Sequence, residues 1–309
     1  MKKFPSIAIL MCTYNGDKYL SEQLNSIQNQ DYKNWILYVN DDGSKDNTLD
    51  ILKSYQKKWG TKKLIIRRGP QKGFCQNFLN IINDSKIKAD FYFLSDQDDL
   101  WMPHKISHTL KKLSKLNPLK SNLYCARTTY VSSNAKKILG QSDLFPKPPS
   151  FKNAIVQCIA GGNTMAFNNQ LKNFLQWHPK VDVVSHDWWL YIMNELTGGQ
   201  TFNDSEPTIL YRQHNQSLIG ANTGFIAKFK RLKMILNGTY RLYNSKHLKA
   251  LNKFYFMGIR SNVELIEQFS NLRDKPLRSR YKMIRNLGVY RQTLSGQMAL
   301  YLAAILHKL

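Results

Sequence analysis

The chain contains no run of about eighteen or more uncharged apolar residues, the least that a helix needs to cross a bilayer core. Cysteine is scarce: Cys12, Cys75, Cys125 and Cys158 lie far apart with no close pair. That spacing excludes a clustered zinc site and a redox dithiol, and free thiols suit a reducing compartment. No Gly-x-Gly-x-x-Gly turn follows the first apolar run, which argues against a dinucleotide-dependent oxidoreductase. Internal repeats and low-complexity stretches are also missing. Acidic residues are few, with 21 Asp and Glu against 45 Lys and Arg, a formal net charge of +24 over 309 residues.

What remains is ample for a buried core, since 42% of the residues are hydrophobic and 12% aromatic. The positive charge is densest toward the end, where residues 221 onward hold 17 Lys and Arg against 3 Asp and Glu. Such a surface attracts nucleic acid, anionic membrane or phosphorylated substrates, and charge alone does not choose among them. A basic nucleic-acid-binding protein is therefore one reading. It gives no role to the acidic cluster described below.

Short apolar runs alternate with helical spacing. Ile7 to Cys12 reads as a buried strand, and after Asn15-Gly16 the residues Leu20, Leu24 and Ile27 recur as one helix face. Trp35 to Val39, the turn Asp41-Asp42-Gly43-Ser44, and Leu49, Leu52 and Tyr55 repeat the pattern. Leu64 to Ile66 with Phe74 to Ile82 gives a third unit, and Phe91 to Leu94 starts a fourth. This predicts an α/β fold, a mostly parallel Rossmann-like sheet with helices on both faces. Ligands of such sheets bind beyond the carboxyl ends of the strands. The polar clusters Thr13-Tyr14-Asn15, Asp41-Asp42 and Asp96-Gln97-Asp98-Asp99 occur at those ends. From residue 122 the alternation weakens, and strand-like pieces at Leu123 to Val131, Thr164 to Phe167 and Ile209 to Tyr211 mix with loops.

Asp96, Asp98 and Asp99 place three carboxylates within four residues, directly after an apolar strand. Crowded like charges call for a cation, and hard ions such as Mn²⁺ or Mg²⁺ take oxygen ligands together with substrate phosphates. The competing account is a solvated acidic turn before the helix that Pro103 opens. Together with the segment Ile9 to Asn15, the Asp41-Asp42-Gly43-Ser44 turn followed by Asp46-Asn47-Thr48, and Trp101, the cluster resembles the nucleotide-binding half of glycosyltransferase family 2, whose fold is GT-A. The combined motifs are most similar to rhamnosyltransferase-like members.

The resemblance implies an inverting transfer of a sugar from a nucleoside diphosphate, such as dTDP-rhamnose or a UDP-hexose, to a hydroxyl of a lipid-linked or growing glycan. It places Tyr14 and Asp42 at the base, with Thr13 and Asn15 also among the nucleotide-binding residues, Asp96 at the ribose or its neighbourhood, and Asp98 with Asp99 at the metal. Gly73 matches a glycine-containing segment, and Gln76 stands where many members carry an arginine. His186-Asp187-Trp188-Trp189 corresponds to the acceptor side, with Asp187 as general base and Trp188 beside the acceptor. Gly162, within Gly161-Gly162-Asn163-Thr164, resembles an acceptor-side glycine. In Tyr211-Arg212-Gln213-His214, Arg212 would meet the diphosphate and His214 would complete the metal shell. Several of these residues also have a plain structural reading: Tyr14 as packing, Asp42 and Gly162 as turn residues, Gly73 as a loop glycine, Asp187 as a helix cap, Trp188 as core, Arg212 as a structural arginine and His214 as a surface histidine.

The expected organisation is a nucleotide-sugar half over 1–120, an acceptor half over 121–224, and a basic helical region over 225–309. Phe225, Phe229, Leu232, Ile235 and Leu236 interleave with Lys228, Lys230, Arg231 and Lys233 as a basic amphipathic helix suited to an anionic membrane surface. Met1 to Pro5 run straight into the first strand without an apolar signal region. The expectation is a cytoplasmic protein, peripheral at the inner membrane face, without nucleic acid as partner.

Overall fold

β1 (Ile7–Thr13) is buried at every position, as befits a strand with parallel neighbours on both edges and helices over both faces. Residues 4–178, 180–214, 233–234 and 237–309 are described by the computed structural model. β1 pairs in parallel with β2 (Trp35–Asp41) and with β4 (Phe91–Ser95), and β2 pairs in parallel with β3 (Leu64–Arg68). Between them run α1 (Asp17–Gln28), α2 (Thr48–Trp59) and α3 (Phe74–Ile82). Leu20, Leu24 and Ile27 of α1 are fully buried. Each contributes on the order of 2 kcal/mol, which fixes that helix face against the sheet. Gly60, at φ 93°, ends α2 in a conformation that costs glycine little.

The sheet has seven strands in the order β10-β6-β9-β4-β1-β2-β3. β6 (Asn122–Ala126) and β10 (Gln200–Asp204) pair in parallel, while β9 (Ala166–Asn168) runs against both β4 and β6. The α/β, mostly parallel expectation therefore holds, with one strand reversed among the described pairings. A smaller sheet has the order β5-β11-β7-β8, from β5 (Leu100–Trp101), β7 (Thr129–Val131), β8 (Ile138–Gln141) and β11 (Ile209–Arg212). The piece Leu123 to Val131, read as one strand, is thus two. β6 ends at Ala126, and β7 begins at Thr129 in the other sheet.

By internal contacts the chain falls into two compact units. One comprises Met1–Leu144, Ala160–Lys180 and Gln200–Gly220, and includes both sheets, α4 (Lys105–Leu113) and α6 (Asn169–Gln176). The other comprises Phe145–Ile159, Val181–Gly199 and Ala221–Leu309. It contains α5 (Phe151–Ala154), α7 (His186–Leu196), α8 (Thr239–Leu251), α9 (Arg260–Asn271), α10 (Leu277–Leu287) and α11 (Leu294–Ile305). α7 is its centre, with every residue buried. The amphipathic helix expected around Phe225 to Leu236 falls largely on residues outside the described ones.

Candidate active site

The loops at the carboxyl ends of β1, β2 and β4 are tied to one another by side chain to backbone bonds. Asp41 Oδ1 accepts from Gly43 N and Ser44 N, and its Oδ2 accepts from Thr13 Oγ1 at 2.9 Å. Asn15, held at φ 47°, donates its N–H to Ser44 Oγ and accepts from Lys45 N. Gly16 N donates to Thr48 Oγ1 at 2.7 Å. Thr13 and Asn15 therefore shape the edge on which a ligand would rest.

Asp42 is 8% exposed, and both of its oxygens receive backbone donors, Gln71 N at 2.6 Å and Gly73 N at 2.9 Å. Its immediate work is to hold the loop after β3 against the loop after β2. Gly73 adopts φ 83° with open space where a side chain would begin. Gly69 is the more constrained glycine: an added Cβ would stand 2.5 Å from Asn77 Oδ1 and 2.9 Å from Asp42 Oδ1.

Tyr14 is 55% exposed at the tip of the first loop. Its backbone is clamped by Gln97, whose Oε1 accepts from Tyr14 N at 2.8 Å and whose Nε2 donates to Tyr14 O at 3.0 Å. Gly16 makes room for that amide, because a Cβ there would lie 2.3 Å from Gln97 Oε1. Gln97 thus couples the aromatic tip to the acidic segment. In sequence it reads only as a spacer between carboxylates.

The three carboxylates of that segment have different surroundings. Asp98, its side chain 21% exposed, places Oδ2 at 2.9 Å from His214 Nε2. Asp99 is fully buried; Asn163 Nδ2 donates to it at 2.7 Å and the backbone N–H of Arg212 at 3.4 Å. Burial, then the Asp98 and Asp96 charges, push the Asp99 carboxyl well above the usual carboxylate range. Asp96 is half-buried, and its charge reaches Cys12, whose thiol burial pushes up further. Among the described residues no group of three or more His, Cys, Asp or Glu is gathered so as to hold a metal ion. Behind Asp99, Lys105 is wholly buried, its Nζ 5.0 Å from the Trp101 ring centre and without a hydrogen-bond partner among the described residues. Burial lowers its pKa to about 7, against the pull of the Asp99 carboxylate.

Arg212 is 1% exposed. Nε donates to Asp98 O at 2.9 Å, one terminal nitrogen to Ser133 O at 2.7 Å and the other to Glu22 Oε2 at 2.9 Å, while the guanidinium lies 4.6 Å from the Tyr19 ring centre. A guanidinium so bonded fixes the backbone of Asp98. The small sheet makes this possible: β11 pairs with β5 directly after Asp99, so Arg212 and His214 arrive beside the acidic segment. Gly162 opens a buried 3₁₀ turn ending at Thr164, and that turn delivers Asn163 to Asp99.

In the second unit, Ser185 stands at the N-cap position of α7 without a side-chain capping bond, and Asp187 lies in the first turn, 8% exposed. Asp187 Oδ1 accepts from Ser185 Oγ and from Trp188 N, leaving Oδ2 outside both bonds. Beside it, burial depresses the pKa of His186. Trp188 is packed inside, with Nε1 donating to Ala154 O at 2.7 Å and its ring edge-on to His247 at 4.6 Å. Trp189 is buried too, against Phe254.

Residues 8–193 match Glycosyl transferase family 2, and the chain belongs to that family. It is a glycosyltransferase. The chain is 30% identical over 280 residues to the dTDP-rhamnosyl transferase RfbG of Shigella flexneri, covering 86% of this chain and 94% of that protein. The putative glycosyltransferase EpsE of Bacillus subtilis (strain 168) is 30% identical over 115 residues, 37% of this chain and 41% of that one. In fold the chain is similar to S. aureus TarS 1–349 in complex with UDP-GlcNAc, with a TM-score of 0.57 at 13% identity over 98% of this chain and 90% of that one. It is also similar to the mannosyltransferase PcManGT from Pyrobaculum calidifontis in complex with GDP-Man and Mn²⁺, at TM-score 0.51 and 14% identity over 99% and 88%. The fold is GT-A, as the motifs implied.

Proposed function

We propose that this enzyme transfers rhamnose from dTDP-rhamnose, with inversion, to a hydroxyl of a lipid-linked or growing surface glycan. The 30% identity to a dTDP-rhamnosyl transferase along 94% of its length supports the donor. A UDP-hexose is the second reading, favoured by the shared fold with a UDP-GlcNAc complex. The observation that carries the chemistry is the pairing of Asp98 with His214 at the edge where Tyr14 and Asp96 also stand.

A carboxylate oxygen beside an imidazole nitrogen fits Mn²⁺ better than Mg²⁺, which prefers oxygen ligands throughout, and a donor set this sparse suits a cation that completes its shell with substrate phosphates. Asp98 and His214 would hold the ion, with Asp99 as a buried brace behind them. When bound, the ion neutralises charge on the departing diphosphate. Tyr14 and Asp42 take the base and Asp96 the ribose, each in a loop that the hydrogen bonds above hold still. Arg212 positions Asp98.

Asp187 Oδ2 takes the proton of the acceptor hydroxyl as that oxygen bonds to the anomeric carbon and the bond to the diphosphate breaks. The nucleotide-sugar half is assigned to 1–120 and the acceptor half to 121–224, acting at the cytoplasmic membrane face.

The test is thermal stabilisation by dTDP-rhamnose, UDP-hexoses and GDP-mannose, each with and without Mn²⁺, followed by transfer assays with the stabilising donor. A shift with dTDP-rhamnose that grows with Mn²⁺ is expected. Stabilisation by none of the nucleotide sugars would overturn the reading.

A further inference from the structure

α11 (LSGQMALYLAAI) contains no charged residue. One side is core, with Leu300, Ala303 and Ala304 at 2% exposure or less. The other side carries Leu294 at 80% and Met298 at 60%, and helical spacing puts the half-buried Tyr301, Leu302 and Ile305 in line with them. A helix facing water ordinarily presents polar residues outward; this one is apolar on both sides. The apolar surface continues onto α10. Tyr281 meets Tyr301 edge-on at 5.7 Å, and Leu277, one turn earlier, is 53% exposed.

The helix beside that face is cationic. α10 bears Arg278, Arg280, Lys282 and Arg285, and no Asp or Glu follows Asp274. Arg278, Lys282 and Arg285 are exposed, Arg285 lying 5.7 Å from the Tyr281 ring centre. A second copy seated here would bring the same charges against them. An anionic bilayer supplies both an apolar layer and the opposite charge, each near-surface cation adding about 1 kcal/mol. Twelve residues span only about 18 Å, short of a hydrocarbon core of about 30 Å, so the helix would lie along the interface. Among the described residues no helix is long and apolar enough to cross a membrane.

We propose that the outward face of α11, rimmed by the cations of α10, seats the enzyme in the headgroup region of an anionic membrane. This extends the reading of a lipid-linked acceptor. Its test reads attachment instead of transfer, so the two fail separately.

The full chain is sedimented with phosphatidylcholine vesicles containing about one-third phosphatidylglycerol and with pure phosphatidylcholine vesicles, at low and high salt. Binding to the anionic vesicles alone, weakening with salt, is expected. Leu294→Glu with Met298→Glu should weaken it at least about tenfold, and the uncharged pair Leu294→Ser with Met298→Ser by several-fold, both keeping the melting temperature. Lys57→Gln with Lys58→Gln, an equal loss of charge on exposed positions of α2, should change binding by less than about twofold. The proposal is overturned if the intact chain ignores anionic vesicles, if the α2 pair loses as much as the α11 pair, or if the α11 changes instead dissolve a dimer.

Discussion

Asp98 Oδ2 and His214 Nε2 stand 2.9 Å apart although 116 positions separate them in the chain. The approach depends on two supports. β11 is paired to β5 one residue past Asp99, and Arg212 is bonded to the carbonyl of Asp98 itself. The late histidine is thereby delivered to the one carboxylate of Asp98 and Asp99 that remains partly open.

Asp98→Asn removes a charge at nearly constant shape, and His214→Gln removes the imidazole nitrogen. Each is expected to lower donor affinity by about tenfold or more in Mn²⁺ and to flatten its dependence on the ion, with the fold intact. Titration calorimetry with the nucleotide sugar, with and without Mn²⁺, checks this. Unaltered metal-dependent affinity in Asp98→Asn would remove that residue from the site.

Gln97 and Gly16 form one contact seen from two ends. Gln97→Glu sets a carboxylate oxygen against Tyr14 O where an N–H donates now, and Gly16→Ala pushes a methyl into Gln97 Oε1. Each change is expected to raise KM for the donor about tenfold, the scale of one or two hydrogen bonds, with kcat and melting temperature little moved. Because they break the same contact, the double variant should be scarcely worse than either single one. Fully additive losses would show that Gln97 does not act through Tyr14.

The first hundred residues were legible because each buried strand announces itself by an apolar run that stops at polar residues, as Ile7 to Cys12 stops at Thr13-Tyr14-Asn15. β8 gave no such signal. All four of its residues are exposed, and it exists through backbone pairing with β7, which leaves no apolar pattern. The break between β6 and β7 was hidden because Leu123 to Val131 holds apolar residues on both sides of Arg127-Thr128. In the site, residue types were readable but their partners were not. Nothing local reveals that Arg212 is enclosed by Glu22, Ser133 and Asp98, or that Gly69 is needed because Asn77 and Asp42 crowd it. Those facts belong to chain crossings, which a linear pattern does not record.

Asp187→Asn keeps the shape of the first turn of α7 and retains an oxygen for the Trp188 N–H. Donor binding should stay within about twofold while turnover falls on the order of a hundredfold or more, the scale of losing a general base. Steady-state transfer rates beside calorimetric donor affinity make the comparison. A normal kcat would exclude Asp187 as the base.

Lys105 permits a prediction about stability. Its ammonium is wholly buried without a hydrogen-bond partner among the described residues, with a folded pKa of about 7 against 10.5 as the ordinary value. The folded state then binds fewer protons than the unfolded one between those two values, so stability rises with pH through that window. The cost of the buried charge is fully present below about pH 7 and fades as pH climbs toward 10.5. Lys105→Met keeps the volume and removes the charge. It is expected to stabilise the fold by on the order of 1 kcal/mol or more at pH 7, with the gain shrinking in alkaline buffer. Urea unfolding at neutral and alkaline pH measures both quantities. If the wild-type chain proves the more stable at neutral pH, the Trp101 ring and the nearby Asp99 carboxylate offset the burial in full, and Lys105 is a stabilising element of the core.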